Sequence, residues 1–444
     1  MIRTTVLMFL AIYMNCALIP TLHATNYYVS VNGNDNNIGS LKEPFATIQR
    51  AESSVEPGDT VFIRGGIYRI APDLITAYEL DDTYACVTHL NKSGTSEERI
   101  YYFSYQNEKP IFDLSMVKPE GKRVSAFWIN ADWIHLKGIE VVGVQVTITG
   151  SNTQSECFSN SGSHNIYELL EMHDGMGIGF FSRSGGNNLI MNCDAYRNFD
   201  PVCDAAGGVN GGNVDGFGSH YSSPGEGPTI FKGCRAWYNS DDGFDCISNG
   251  EMTIIENCWA FYNGYSYEGE EDPFHSRGDG NGFKSGGYGR DPRVYELPVP
   301  VPRNIVLYCL AVGNKSKGFD ANYHATGIIW ENNSAYRNNH NFHMETAGKT
   351  TTNATTLMFI PGRDHFMFSN LSYKGRSTNL TRIHEPSCIM YNNQFDLDQK
   401  LTDQDFVSLD ESQLTALRNA DGSLPEIDFM KLNQTNSAGF FARP

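Results

Sequence analysis

Charge is sparse in this chain. Asp, Glu, Lys and Arg make up 19% of the 444 residues, with 33 basic against 51 acidic side chains and a formal charge of −18. No basic run stands out, which argues against a nucleic-acid partner and for a cationic partner or a bound metal ion. Past the N-terminal residues there is no stretch of about 18 apolar residues, so no later segment is expected to span a membrane. Cysteine and histidine lack C-x-x-C and H-x-x-x-H spacings, so a zinc site is not expected. The composition, with 43 glycines, 40% apolar and 12% aromatic residues, fits neither a disordered nor a collagenous nor a coiled-coil chain. What remains is a globular or solenoidal protein rich in turns, long enough for two or three domains or for one elongated β architecture.

Residues 1–24 read as a secretory leader: Arg3 in a short basic region, an apolar run from Val6 to Pro20, and Leu22-His23-Ala24 as a cleavage site. The expectation is an exported protein, secreted, periplasmic or held at the cell surface. Of ten cysteines, Cys16 lies inside the leader, and the nine left are an odd number that does not suggest a disulfide framework.

The middle of the chain repeats. Asn192-Cys193-Asp194-Ala195-Tyr196-Arg197-Asn198 recurs around Cys234, Cys258 and Cys309, and again as Asn332-Asn333-Ser334-Ala335-Tyr336-Arg337-Asn338. The steps between these positions are 41, 24, 51 and 24 residues, and an earlier copy puts Leu169 another 24 upstream. A 24-residue unit with alternating apolar positions suits one turn of a parallel β-helix, whose strands stack at about 4.8 Å. Cys193, Cys234, Cys258 and Cys309 are then an internal column of free thiols. Asn198, Asn239, Asn263, Asn314 and Asn338 form a second column at a corner, bonded along the stack. A third column reads Gly216-Phe217, Gly243-Phe244, Gly282-Phe283, Gly318-Phe319 and Asn341-Phe342. With Phe inward, its neighbours face outward or sit at the turn, which puts Asp245 and Lys284 side by side on adjacent coils despite 39 residues of sequence between them. Insertions at 199–213, 264–280 and 285–303 fall near this edge, and insertions on one face of a solenoid often build a binding face. The helix body is expected over 25–375, opened by an N-terminal cap; residues 376–444 read as a capping segment, with helical character over 402–419.

Asp215, Asp241, Asp242 and Asp245 bring four carboxylates to one edge. Unneutralised, they repel one another, and a hard cation with oxygen ligands relieves this. Calcium is preferred to magnesium because protein oxygens suit its flexible shell. Asp in Gly-rich turns can instead cap the turn, but four converging beside one column favour the ion. Lys284 beside such an ion is placed to act as a base, because a divalent cation disfavours the ammonium form. A uronic acid polymer fits the pair: the cation would bind the carboxylate, Lys284 would remove the C5 proton, and the C4 oxygen would leave by β-elimination.

At these residues the sequence resembles polysaccharide lyase family 9. The likeness runs from Tyr28-Val29-Ser30-Val31-Asn32-Gly33-Asn34-Asp35 and Pro44-Phe45-Ala46-Thr47-Ile48 to Asp215-Gly216-Phe217, Asn239-Ser240-Asp241-Asp242-Gly243-Phe244-Asp245 and Asn281-Gly282-Phe283-Lys284. It implies a right-handed parallel β-helix, a catalytic calcium on Asp215, Asp241, Asp242 and Asp245, and Lys284 as the base. The expected partner is an acidic plant cell-wall polysaccharide, and the expected state a monomer. Tyr265, Tyr267, Arg290, Lys315 and Lys317 are candidate substrate-binding side chains. Competing readings are a β-helix pectin hydrolase, whose Gly-His-Gly and Arg-Ile-Lys elements are missing, an alginate or chondroitin lyase, and a non-catalytic sugar-binding solenoid or adhesin. Between pectic polymers, Glu268, Glu270, Glu271 and Asp272 would repel a uniformly anionic chain, which leans toward rhamnogalacturonan I over polygalacturonate.

Overall fold

The computed structural model describes residues 24–441 except 81, 149–152, 203–210, 266–277, 288–299, 350–356, 397–399 and 434–437. The leader therefore lies outside the described residues, apart from Ala24. Among the described residues three sheets run from Asn26 to Tyr391. In a typical coil, Asn188–Met191 belongs to the first, Asp194–Tyr196 to the second and Phe217–Ser219 to the third; the next coil repeats them as Thr229–Lys232, Arg235–Trp237 and Phe244–Asp245. Each strand pairs in parallel with its counterpart one coil away. This is the expected parallel β-helix. Among the described residues two antiparallel strand pairs decorate it, Ala77–Glu79 with Tyr84–Leu90 and Glu345–Lys349 with Leu357–Pro361. No helix among the described residues is long and apolar enough to cross a membrane.

The core is made of stacks. Phe217, Phe244, Phe283, Phe319 and Phe342 lie face to face with centroids 4.9, 4.9, 5.0 and 4.9 Å apart, one strand spacing per step. All five are fully buried, and burying each such ring stabilises the fold by roughly 1.5–3 kcal/mol. The cysteine column is also buried and unpaired, with the backbone N–H of Cys234 directed at Cys258 Sγ and that of Cys258 at Cys309 Sγ, both 3.4 Å. It starts from Leu170, not Leu169: Glu171 pairs with Asp194, so Leu170 is the residue level with Cys193, while Leu169 takes a left-handed bend conformation at φ 54°. The column continues as Asn333, Asn370 and Asn393, each accepting the backbone N–H of the residue below.

Asparagines at the opposite corner form the expected ladder. Nδ2 of Asn239, Asn263 and Asn314 donates to Oδ1 of Asn263, Asn314 and Asn338 at 3.2, 3.0 and 2.8 Å, and also to the carbonyls of Ala195, Ala236 and Ala260. A buried amide is costly unless bonded; here each one is bonded only when the coils are in register.

At the N-terminus Asp35 accepts from the backbone of Ala46 and Thr47 and from Thr47 Oγ1, while Thr47 caps the short helix Ile48–Glu52. This is the physical content of the opening motif. At the other end the stacked sheets continue past residue 375, through Thr378–Thr381 and Ile389–Tyr391. Residues 402–419 are not an extended helix but two 3-10 turns, Asp403–Asp405 and Glu411–Thr415. The segment after them packs Leu424, Ile427, Phe429, Met430 and Phe440 over the apolar outer face of the second sheet, where Trp259, Phe261, Leu310, Val312 and Tyr336 would otherwise meet water.

A buried ion cluster holds this cover in place. Asp194 accepts from Arg235 Nε and Nη2 at 2.9 and 2.7 Å and from Arg418 Nη2 and Nε at 2.5 and 3.1 Å, and Arg235 Nη1 reaches the Ala416 carbonyl at 2.8 Å. Burial pushes the Asp194 carboxyl up, but Arg418 and Arg235 outweigh it and hold it below the usual range. Asp194→Ala, which leaves two arginines without their partner, should lower unfolding free energy by about 3–5 kcal/mol. Because the folded carboxyl is depressed, its contribution is complete above the unfolded value of about 3.9 and is lost as pH falls through the lower folded one. Denaturant titration of wild type and variant should therefore show a large gap at neutral pH that closes in strong acid; a gap unchanged by pH would contradict this.

Candidate active site

The third sheet places the chemistry. Phe217, Phe244 and Phe283 point inward, so Gly218, Asp245 and Lys284 point outward, paired in register one coil apart. The glycine before each Phe answers to the asparagine ladder. A Cβ on Gly216 would lie 2.9 Å from Asn239 Nδ2, and one on Gly243 2.8 Å from Asn263 Nδ2 and 2.7 Å from the Gly282 carbonyl. No side chain fits there, and the chain can turn directly from the ladder into the strand that carries Asp245 or Lys284.

Ahead of these glycines runs a row of polar side chains, Asp215, Asp242, Asn281 and Lys317, linked along the helix axis. The backbone N–H of Asp242 donates to Asp215 Oδ1 at 3.1 Å, the backbone N–H and Nδ2 of Asn281 both donate to Asp242 Oδ1 at 2.7 Å, and the Lys317 N–H donates to Asn281 Oδ1 at 3.2 Å. Asp241 receives the backbone N–H groups of Asn213 at 2.8 Å and Asp279 at 3.1 Å, tying the ends of two insertions to the site. Carboxylate oxygens of Asp215, Asp241 and Asp242 lie within 4.8 Å of one another. Asp245 joins them through Lys284, whose Nζ is 2.8 Å from Asp245 Oδ2 and 3.2 Å from Asp242 Oδ2.

Burial and mutual repulsion act on the trio together. Asp215 is driven well above the usual carboxylate range by burial and by Asp245, Asp241 and Asp242. Burial also raises Asp241 and pushes Asp242 up to about 8, although Lys284 opposes both. Asp245 differs: Lys284 and His220 outweigh burial and hold it down at about 2. The carboxylates in turn overcome burial at Lys284 and keep its ammonium charged. One lysine cannot neutralise four carboxylates. The cradle has only oxygen donors, and Asp245 Oδ1 accepts no hydrogen bond among the described residues; such a set fits a hard divalent cation.

The predicted Asp215, Asp241, Asp242, Asp245 and Lys284 thus converge. Lys317 extends their row. Lys315 instead directs Nζ to the Gly278 carbonyl, tethering an insertion, and the Tyr265 hydroxyl accepts from Arg376 Nη1 at 3.0 Å. Tyr267 and Arg290 lie outside the described residues, as do Glu268, Glu270, Glu271 and Asp272. His220 escaped the sequence reading: its Nε2 is 3.7 Å from Asp245 Oδ1, and only its place two residues beyond Gly218 in the outward column marks it. Asp320 and His343, outward on the next two coils, were legible as column members but not as a pair.

Gly243→Ala should cost about 1–3 kcal/mol through overpacking and should abolish activity by displacing Asp242 and Asp245. A variant with wild-type melting temperature and turnover would show that the ladder does not dictate this glycine.

The family described as Pel9A-like, right handed beta helix region, matches residues 27–354. The chain is 32% identical over 415 residues to pectate lyase L of Dickeya chrysanthemi, covering 93% of this chain and 84% of that protein. It is 27% identical over 440 residues to pectate lyase PEL9 of Emericella nidulans, covering 95% of each. Among solved structures, a rhamnogalacturonan lyase superposes with TM-score 0.88 at 39% identity, over 94% of this chain and 100% of that one. Pectate lyase Pel9A superposes with TM-score 0.69 at 31% identity, over 93% and 90%.

Proposed function

The chain belongs to the Pel9A-like right-handed β-helix family, polysaccharide lyase family 9, and from that premise we propose that this polysaccharide lyase is exported, depends on calcium, and cleaves the rhamnogalacturonan I backbone by β-elimination. The carrying observation is Lys284 Nζ standing 2.8 and 3.2 Å from two carboxylates of the acidic cradle. A basic nitrogen beside an oxygen-rich cation site is what removal of a proton next to a carboxylate requires. Calcium held by Asp215, Asp241, Asp242 and Asp245 would neutralise the uronate carboxylate and acidify the C5 hydrogen.

The protein's own groups do the rest. With the cradle's charge met by the cation rather than by its own ammonium, Lys284 is left as the neutral amine and takes the C5 proton on Nζ. The electron pair of that C–H bond forms the C4–C5 double bond, and the bond from C4 to the glycosidic oxygen breaks. That oxygen leaves with its electron pair and takes a proton from water. Asn281 fixes Asp242 through two hydrogen bonds of 2.7 Å, so one cradle carboxylate keeps its direction through the reaction.

Rhamnogalacturonan I is favoured because likeness to the rhamnogalacturonan lyase exceeds that to Pel9A in both identity and superposition. Polygalacturonate is the second reading, favoured by the pectate lyase names of the curated relatives. Export rests on the leader-like residues 1–24.

Two outcomes test the reading. Lys284→Ala should lower the rate of unsaturated product formation, followed at 235 nm, by about 10²–10⁴-fold while calcium still binds in titration calorimetry; near-normal turnover would place the base elsewhere. Wild type assayed on both polymers should form product faster from rhamnogalacturonan I and lose activity with excess chelator. Faster cleavage of polygalacturonate would put the second reading first, and full activity in chelator would remove calcium.

A further inference from the structure

The outward column does not end at Lys284. Asp320 pairs with Lys284 in register on the next coil, and His343 pairs with Asp320 on the one after. The Asp320 side chain is buried, yet it faces two partly exposed groups. Its Oδ1 accepts from His343 Nδ1 and from the Asn322 backbone, both at 3.0 Å, and its Oδ2 lies 3.2 Å from Lys317 Nζ. Burial pushes Asp320 up, but Lys317 and His343 outweigh it and keep it ionised. A carboxylate acts only as an acceptor, so His343 donates through Nδ1.

Lys317 also belongs to the row that carries the cradle. Its backbone bonds Asn281, which bonds Asp242, so Lys317 lies two coils beyond Asp242, about 10 Å along the axis. An ammonium has three donors, and among the described residues Lys317 forms its ion pair with Asp320; the side chain is 24% exposed. Strands of neighbouring coils lie about 4.8 Å apart, and a sugar ring with its linking oxygen advances a polysaccharide chain by a similar length. Two coils therefore span two sugars.

We propose that Lys317, oriented by Asp320 together with His343, binds the carboxylate of the uronate one disaccharide away from the one being cleaved, with the polymer lying along the solenoid axis. This rests on the reading of rhamnogalacturonan I as substrate. Alternation of charged and neutral sugars is then matched to alternate coils: a uronate lies level with Asp242, a neutral sugar level with Asn281, and the next uronate level with Lys317. Lys317 is a specificity-determining residue, and Asp320 is a positioning residue that acts through it.

The test compares rhamnogalacturonan oligosaccharides carrying two or more uronates with the same oligosaccharides after reduction of their non-reacting carboxyl groups to alcohols. Lys317→Met should raise KM for the native oligosaccharides about tenfold, equivalent to about 1.4 kcal/mol, with kcat within about twofold, and should leave KM for the reduced ones unchanged. Lys317→Arg should restore most of the loss. Asp320→Asn should raise KM in the wild-type background and have little further effect beside Lys317→Met, since both act through one contact. Equal losses on native and reduced oligosaccharides, or a loss confined to kcat, would overturn the subsite. If wild type forms no unsaturated product, the lyase reading of this substrate fails on its own. Calorimetric binding of native and reduced oligosaccharides to Lys284→Ala, with and without Lys317→Met, then still decides the subsite: a discrimination that Lys317→Met abolishes supports it, and no discrimination overturns it.

Discussion

A column of buried asparagines sets the register of this molecule, and the site follows from that register. Each amide from Asn198 to Asn338 lies inside the coil with no exposure, where an unmet donor costs about 1–3 kcal/mol. The side chains meet their needs by bonding the next asparagine along the ladder, Asn341 in the case of Asn338, and a carbonyl of the second sheet, that of Met172 for Asn198 and of an alanine for the others. A slip of one residue would break these bonds and would turn every outward side chain inward. The ladder excludes a Cβ at Gly216, Gly243 and Gly282; the phenylalanine stack then fills the core, and the residue after each Phe has only the outer face left to it. Asp245 and Lys284 are neighbours for that reason.

The fold was legible because its constraints repeat. Cysteine, asparagine and Gly-Phe columns give the coil, its corner and its inward face, and these in turn give the carboxylates and the lysine. What stayed hidden lies where repetition stops. The starting Leu170 was missed by one residue because its coil is 23 residues long rather than 24, a difference the pattern of side chains does not reveal. The last coils replace cysteine with Asn370 and Asn393 and the stacked Phe with Leu380, so the solenoid outlasts its own signature. The 3-10 turns after residue 402 owe their place to Arg418, Arg235 and Asp194, a contact across more than two hundred residues of sequence that no local pattern announces. His220, Asp320 and His343 sit in the right columns, but only coordinates show that their side chains meet.

Electrostatics sets the second limit on the site. Four aspartates crowd an edge from which most water is excluded, and the structure answers with one lysine, one histidine nearby and backbone donors from the insertions. These groups leave excess negative charge, and the acid that stays low, Asp245, is the one in contact with both Lys284 and His220. A second carboxylate cluster, Glu140 and Glu171 with His173 on another face, differs in kind: Lys109 lies 3.3 Å from Glu171 and His173 bonds Glu140 at 3.2 Å, so its charge is already met at a half-buried surface. The difference between the two clusters is burial and lack of compensation, and for that reason the proposed function assigns the cation to the first.

Diffraction from crystals soaked in calcium, with anomalous data to identify the ion, tests the central claim most directly. The account predicts a single strong site between the carboxylates of Asp215, Asp241 and Asp242, with Asp245 turned toward it and Lys284 beside it. An empty cradle at saturating calcium, or an ion held by Glu140, Glu171 and His173 instead, would contradict it.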